Sequence, residues 1–204
     1  LLDFGWIVSH QDGNHGSSYP RKAEFVGSGV QYISASSIEN GQVNLKKVKH
    51  LTEERARGLT KGVAQSGDVL FAHNATVGPV ALLETEKEKV ILGTSLTYYR
   101  CNPEFLFAPY LVHFMRSKAF VKQYESVMRQ STRNQVPITK QRLFHFHIPS
   151  IETQKVLAKN WDVMHSELRE YSAKLKSKFE VLEELRQSIL EQAFEGKLTE
   201  PVAA

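Results

Sequence analysis

Trp161, Leu168, Leu175, Leu182 and Ile189 recur every seven residues, with Leu157, Met164, Tyr171 and Leu185 on a companion seam. An apolar repeat of this period specifies a long helix built to lie against another long helix. Lys178 is the only polar break on the companion seam before Gln192; one such residue can set register while its ammonium snorkels to water. From Leu157 to Phe194 such a helix would extend roughly 57 Å at about 1.5 Å per residue. A helix of that length overshoots the width of a small domain, which argues against one that merely caps its own core. The spacing predicts partner-helix packing and a homodimer through these nine seam residues.

At 204 residues and 41% hydrophobic content the chain can bury a core as one domain with an extension, or as two small domains. No apolar run approaches the roughly 20 residues of a membrane span, and no signal segment opens the chain, so a soluble protein without a membrane partner is expected. The start at Leu1 rather than Met fits trimming or a segment of a longer chain. A lone Cys101 can form neither an internal disulfide nor a cysteine metal cage; it suits a reducing cytoplasm and reads as a small buried hydrophobe. Residues 1–150 hold 18 Lys and Arg against 12 Asp and Glu, a net +6, while residues 151–204 hold 8 against 10, a net −2. That asymmetry suits a domain that meets phosphates joined to a helix that meets protein.

Residues 1–29 are polar and irregular and predict a long exposed loop. Strands are expected at 32–34, 43–48, 69–71, 79–83, 90–92 and 96–100, with a turn at Glu39-Asn40-Gly41, a short helix in the polar stretch before Gly67, and a loop over 74–78. Many short strands with tight turns indicate a compact mixed sheet. Pro109 opens a helical stretch whose aromatics, Phe114, Phe120 and Tyr124, read as core. A polar loop spans 130–135, and Phe144–Ile148 alternates like a strand. Ser150 can cap the long helix, Glu152 sits in its first turn, and Gly196 supplies an end. The expected class is α+β: a globular mixed-sheet domain over 1–149 and a long helix over 150–204.

Enzyme signatures are weak. After Asp68 the run Glu84-Thr85-Glu86-Lys87-Glu88-Lys89 puts acids and lysines at opposite parity, so a strand would aim them to opposite faces; a charged hairpin loop is the better reading than a metal-dependent nuclease site. Glu195-Gly196-Lys197 has nuclease spacing but lies at a frayed helix end. Asn102-Pro103-Glu104-Phe105 only partly mimics a base-methyltransferase loop, no Gly-rich cofactor loop precedes it, and turn chemistry explains it. His145 and His147 share a strand face without a third ligand set by motif, and His10, Asp12 and His15 crowd one loop as a metal alternative. No catalytic residue, resident metal or cofactor is expected.

Polar loops carry the remaining signal. Asp12, Asn14, His15, Ser17, Arg21 and Lys22, then Ser36, Asn74 and Thr76, then Arg129, Gln130, Arg133, Asn134 and Gln135 are of the types that bind phosphates and read base edges. Any one of them could fill an ordinary solvated loop. Their number beside a basic balance points to DNA.

Several stretches resemble the specificity subunit of type I restriction-modification enzymes: Asp12-Gly-Asn-His-Gly-Ser-Ser-Tyr-Pro-Arg21, Tyr32-Ile-Ser34 with Ile38-Glu-Asn-Gly41, Gly67-Asp-Val-Leu-Phe-Ala72 through Thr76-Val-Gly78, and Ile148-Pro149 before a long Gln154-containing helix. The resemblance covers nearly the whole chain. It implies a target-recognition domain that reads half of a bipartite double-stranded DNA site, and a spacer helix that packs antiparallel with another. It also implies methyltransferase subunits that use S-adenosylmethionine and restriction subunits that use ATP as partners. The chain departs from that family in having one recognition domain and one spacer helix, so it looks like a half-subunit or a fragment of a longer chain. The recognition end of a fused restriction-methylation enzyme and a coiled-coil adaptor with no nucleic-acid role are the other readings.

Overall fold

The computed structural model describes residues 5–130, 133–196 and 198, so Ser131 and Thr132 of the 130–135 loop, and Lys197, lie outside the described residues. The chain divides into two compact units, Leu1–Ala158 and Lys159–Ala204. The strands are β1 (Ile7–Asp12), β2 (Phe25–Val26), β3 (Val30–Ile33), β4 (Ile38–Glu39), β5 (Gln42–Val43), β6 (Lys49–Leu51), β7 (Val63–Ala64), β8 (Val69–Asn74), β9 (Thr76–Leu82), β10 (Val90–Leu92) and β11 (Leu96–Cys101). The helices are α1 (Glu53–Arg57), α2 (Ala108–Arg116), α3 (Lys118–Arg129), α4 (Ile138–Gln141) and α5 (Ile151–Phe194).

The α+β class holds, but the strands divide between layers. An antiparallel sheet of four runs β1-β11-β8-β9; a mixed sheet of five runs β2-β6-β3-β10-β7, with β10 parallel to β3. Ile33 and Leu92 from the mixed sheet and Leu70, Ala72, Ala81 and Leu96 from the antiparallel one share a buried core. Alternation sends Phe71 to the opposite face of β8, where its ring lies 5.7 Å from Phe120 and 5.8 Å from Tyr124 of α3. Ser117 separates α2 from α3 and caps the latter, its hydroxyl accepting from the Phe120 N–H. Phe120 and Tyr124 are buried, as expected of core aromatics, whereas Phe114 is half-buried.

Several local expectations are corrected. Residues 7–12, expected as loop, form β1; a bulge between Ile7 and Ser9 buries Ile7 and His10, three apart, and hides the period of two. The predicted strand 43–48 is broken because the Asn44 carboxamide oxygen accepts from the Lys46 N–H and starts a 3-10 turn. The Asn40-Gly41 turn stands, with φ of 50° and 79° at its two central residues, as a primed hairpin requires. The 74–78 loop shrinks to Ala75, since Asn74 already pairs with Thr76. Glu84–Lys89 is no hairpin loop, because β9 and β10 belong to different sheets. Phe144–Ile148 keeps its alternating exposure without becoming a strand: the Gln123 carboxamide donates to the His145 carbonyl (2.9 Å) and accepts its N–H (2.7 Å), and the Tyr110 hydroxyl donates to the His147 carbonyl (2.7 Å).

The start of α5 is locked into the globular unit. Ser150 Oγ accepts from the Thr153 N–H, as expected of a cap. Gln154, 0% exposed, accepts from the Phe107 N–H (2.8 Å) and donates to the Phe105 (2.9 Å) and Pro149 (2.8 Å) carbonyls. Ala158, also buried, is the last residue of this unit, so the globular unit includes two turns of the helix. In the second unit α5 continues to Phe194, and Gly196 takes φ 73° just beyond it.

Candidate nucleic-acid interface

Four strand ends meet at one rim of the antiparallel sheet: the C-termini of β1 and β8 and the N-termini of β9 and β11. The first polar loop leaves from Asp12, and its neighbour Gly13 crosses the backbone at Gly93 so closely that a Cβ would lie 2.1 Å from the Gly93 carbonyl oxygen. Only glycine permits that crossing. The 133–136 segment joins the same rim: the Ala75 N–H donates to the Asn134 carbonyl (3.0 Å), the Asn134 carboxamide to the Ala75 carbonyl (2.6 Å), and the Val136 N–H to the His73 carbonyl (2.8 Å). Ser95 ties in the turn that carries Ser36, its hydroxyl accepting from the Ala35 N–H (3.0 Å) while its carbonyl accepts from the His73 N–H (2.9 Å). Loops far apart in sequence thus become one surface.

Beneath the rim lies a buried polar bed that the sequence did not disclose. Gln141, 1% exposed, donates to the Val136 carbonyl (2.9 Å) and Thr97 hydroxyl (3.1 Å), and its Oε1 accepts from the Tyr99 hydroxyl (2.9 Å) and meets His10 Nε2 at 3.3 Å. A carbonyl only accepts, so the bond to Val136 fixes which end of the carboxamide is nitrogen, and His10 must carry its proton on Nε2. Burial lowers the His10 pKa to about 4, against the raising effect of the Gln141 bond, and this ring is neutral at pH 7. His73 is 5% exposed, and among the described residues neither of its ring nitrogens makes a hydrogen bond of good geometry. Burial also lowers its pKa, with Asp12 opposing.

The rim gathers Asp12, His15, Ser36, Asn74, Thr76, Arg133, Asn134 and Gln135, most of the residues expected there. Asp12 accepts from or pairs with His15 at 2.7 Å. Asn14 is a correction: it is 3% exposed and its carboxamide donates to the Lys61 carbonyl (2.7 Å), so it bolts the loop down instead of facing a base. Arg21 and Lys22 lie in a turn held elsewhere, where the Arg21 N–H donates to Glu24 and Arg55 bridges Glu24 and the Ser18 carbonyl. The side chain of Ser17 lies outside the described part. Arg129 and Gln130 are exposed at the C-terminus of α3. The metal reading of the first loop fails, since His10 turns to Gln141 while His15 turns to Asp12; among the described residues no three His, Cys, Asp or Glu side chains could hold an ion. Asn102 makes the expected turn, its side-chain oxygen accepting from the Glu104 N–H. Cys101, expected to be buried, is half-buried at the end of β11, and desolvation pushes its thiol up to about 12.

The second unit offers a different surface. Met164, Leu168, Tyr171, Leu175, Leu182, Leu185 and Ile189 are exposed along α5, by between 49% and 66%, and Leu157 and Trp161 are half-buried. Phe179 and Val181 widen the apolar stripe beside Leu182, an addition that strict seven-residue spacing does not register.

Residues 8–176 match the family model described as type I restriction modification DNA specificity domain. The chain belongs to that family. Similar proteins include the putative type I restriction enzyme MjaX specificity subunit of Methanocaldococcus jannaschii, 23% identical over 81% of this chain and 39% of its own length. The type I restriction enzyme EcoKI specificity subunit of Escherichia coli K12 is 22% identical over 84% of this chain and 40% of its own. The HsdS subunit from Thermoanaerobacter tengcongensis shares the fold, with a TM-score of 0.63 at 21% identity over 86% of this chain and 44% of that one. This chain therefore spans about two fifths of the length of those relatives. The resemblance read from the sequence, one recognition domain followed by a long helix, is upheld.

Proposed function

We propose that this chain is a non-catalytic DNA-specificity subunit of a type I restriction-modification system, acting in the cytoplasm as a dimer of half-subunits. The observation that carries the reading is the gathering of polar loops on one rigid sheet rim in a chain of this family. Side chains such as Asn74, Gln135 and Arg133 have the chemistry to read base edges or hold phosphates. The exposed seam of α5 supports pairing of two copies. Methyltransferase subunits using S-adenosylmethionine and restriction subunits using ATP would supply the chemistry; this chain would bind neither cofactor.

In an antiparallel pair, two recognition domains stand apart by a good part of the helix length, roughly 57 Å. Because one turn of duplex is about 34 Å, the half-sites fall at least a turn apart and are inverted copies. Methylation mapping in cells carrying this protein and its methyltransferase is expected to show a palindrome interrupted by an unspecified spacer. Deleting one heptad, Leu168–Lys174, should shorten the spacer or abolish modification while leaving the half-site letters alone. The greater length of the relatives supports a second reading, in which this chain is one recognition segment of a longer protein, fused to catalytic parts or to a second, different recognition domain. A non-palindromic target would favour it.

A further inference from the structure

The basic excess of the globular unit is concentrated in one stretch. Residues 1–104 hold 11 Lys and Arg against 11 Asp and Glu, whereas residues 105–150 hold 7 against Glu125 alone. In the first stretch several cations are committed internally: Lys47 pairs with Glu39, Arg55 with Glu24, and Arg100 with the buried Asp68. In the second, α3 and α4 flank an open groove of about 430 Å³. Lys122 and Lys140 line it beside the polar Ser126 and Gln130, with Val127 and Leu143 as its apolar part. Both lysines are exposed, and among the described residues neither enters an ion pair.

The groove is linked to the rim along the chain, through the two sides of its lining. Gln130, in its lining, follows α3 directly and precedes the segment in which Asn134 and Val136 bond to Ala75 and His73. Lys140 is the neighbour of Gln141, whose side chain holds the Val136 carbonyl. Leu143, 68% exposed, gives the lining an accessible apolar side chain. A duplex backbone presents what this lining complements: phosphate oxygens for ammonium, hydroxyl and carboxamide groups, and sugar carbons for an apolar side chain.

We infer that the groove between α3 and α4 holds the phosphate backbone of duplex DNA, as an anchoring track separate from the rim that would meet base edges. The inference rests on the DNA-recognition function proposed above. It assigns sequence-independent affinity to Lys122 and Lys140, which lay outside the residues picked from the polar loops.

The test is binding of the full chain to mixed-sequence duplex and to its methylated-site duplex across a salt series, with thermal unfolding as a check on folding. The Lys122→Ala, Lys140→Ala double variant should reduce the slope of log affinity against log salt by about 1.8, since each lost phosphate contact accounts for about 0.9. Affinity at low salt should fall roughly tenfold or more for every sequence, leaving the preference for the target unchanged. Leu143→Glu, which places a carboxylate in the groove, should weaken all duplexes likewise. Wild-type slope and affinity in both variants would overturn the inference. So would unchanged DNA binding with loss of methyltransferase co-purification, which would assign the groove to an acidic protein face. Failure of the wild-type chain to bind any duplex at low salt would overturn the proposed function as well, and so is distinguishable from failure of the variants alone.

Discussion

The unit Leu1–Ala158 and the helical unit from Lys159 treat their large apolar side chains in opposite ways. In the first, Leu70, Phe71, Ile91, Leu111 and Phe120 are at most 1% exposed; in the second, Leu168, Tyr171, Leu175 and Leu182 are 56–66% exposed. The globular unit buries these side chains against its own elements and holds a buried glutamine at 154 with three hydrogen bonds. A long helix with an uncovered apolar stripe does not, because helical propensity alone contributes little and tertiary packing of the stripe supplies most of the stability. The contrast teaches that one unit folds around its own core while the other leaves its apolar stripe uncovered, the surface that the pairing proposed above would bury.

Breaking the proposed helix pairing should give the largest effect. Leu168→Asp with Leu175→Asp would remove four leucines from the proposed symmetric dimer, and at about 1.5 to 3 kcal/mol each this is roughly 6 to 12 kcal/mol of association energy. Sedimentation should show a monomer whose globular unit melts as before; an intact dimer would dismiss this interface. Gln154→Leu attacks the self-sufficient side instead. It strands the Phe107 N–H and the Phe105 and Pro149 carbonyls. At about 1 to 3 kcal/mol per unmet group, urea unfolding should show a loss of about 3 kcal/mol or more with the oligomeric state unchanged.

Acid should act on the globular unit and spare the seam. His10 has its folded pKa lowered to about 4 by burial, whereas an unfolded histidine titrates near 6.5. The unfolded chain therefore binds more protons between these values, so the contribution is fully present above about 6.5 and is lost as pH falls through about 4. The loss is on the order of 3 kcal/mol, and His10→Gln should flatten that acid limb in urea midpoints measured from neutral pH downward. The smallest effect concerns Ala75, which turns the rim at φ 62°. Ala75→Gly should raise stability by about 1 kcal/mol, because glycine carries no left-handed penalty there; a lower unfolding midpoint would show that the Ala75 methyl group packs favourably.

How much of this could be read beforehand varies by element. The α5 seam, the Ser150 cap, the Asn40-Gly41 turn, β8 and β11 were legible because each is a local pattern: a period, a capping oxygen, a primed turn, an apolar run. The strand β1 was not, because its bulge between Ile7 and Ser9 erases alternation. Residues 144–148 misled in the other direction, since their alternation is real but their backbone partners are the Gln123 and Tyr110 side chains. At the site, residue type picked out the loops around Asp12, Asn74 and Gln135 that the fold gathers on one rim, but type could not tell Asn14, spent on Lys61, from Asn74 at the rim.

The sequence by itself determined the class of fold, the helix with its seven-residue seam, the basic balance and the family resemblance, because periodicity, charge and motif order are properties of residues near one another along the chain. Tertiary structure decided which loops share a surface, which asparagine is a bolt, and that Gln141 ties α4 to Thr97, Tyr99 and His10 beneath the rim. Those outcomes depend on hydrogen bonds between residues more than forty positions apart in sequence. Whether a polar side chain is spent or available is settled by desolvation and by the partner that closure brings to it, and neither is written in the residue's own identity.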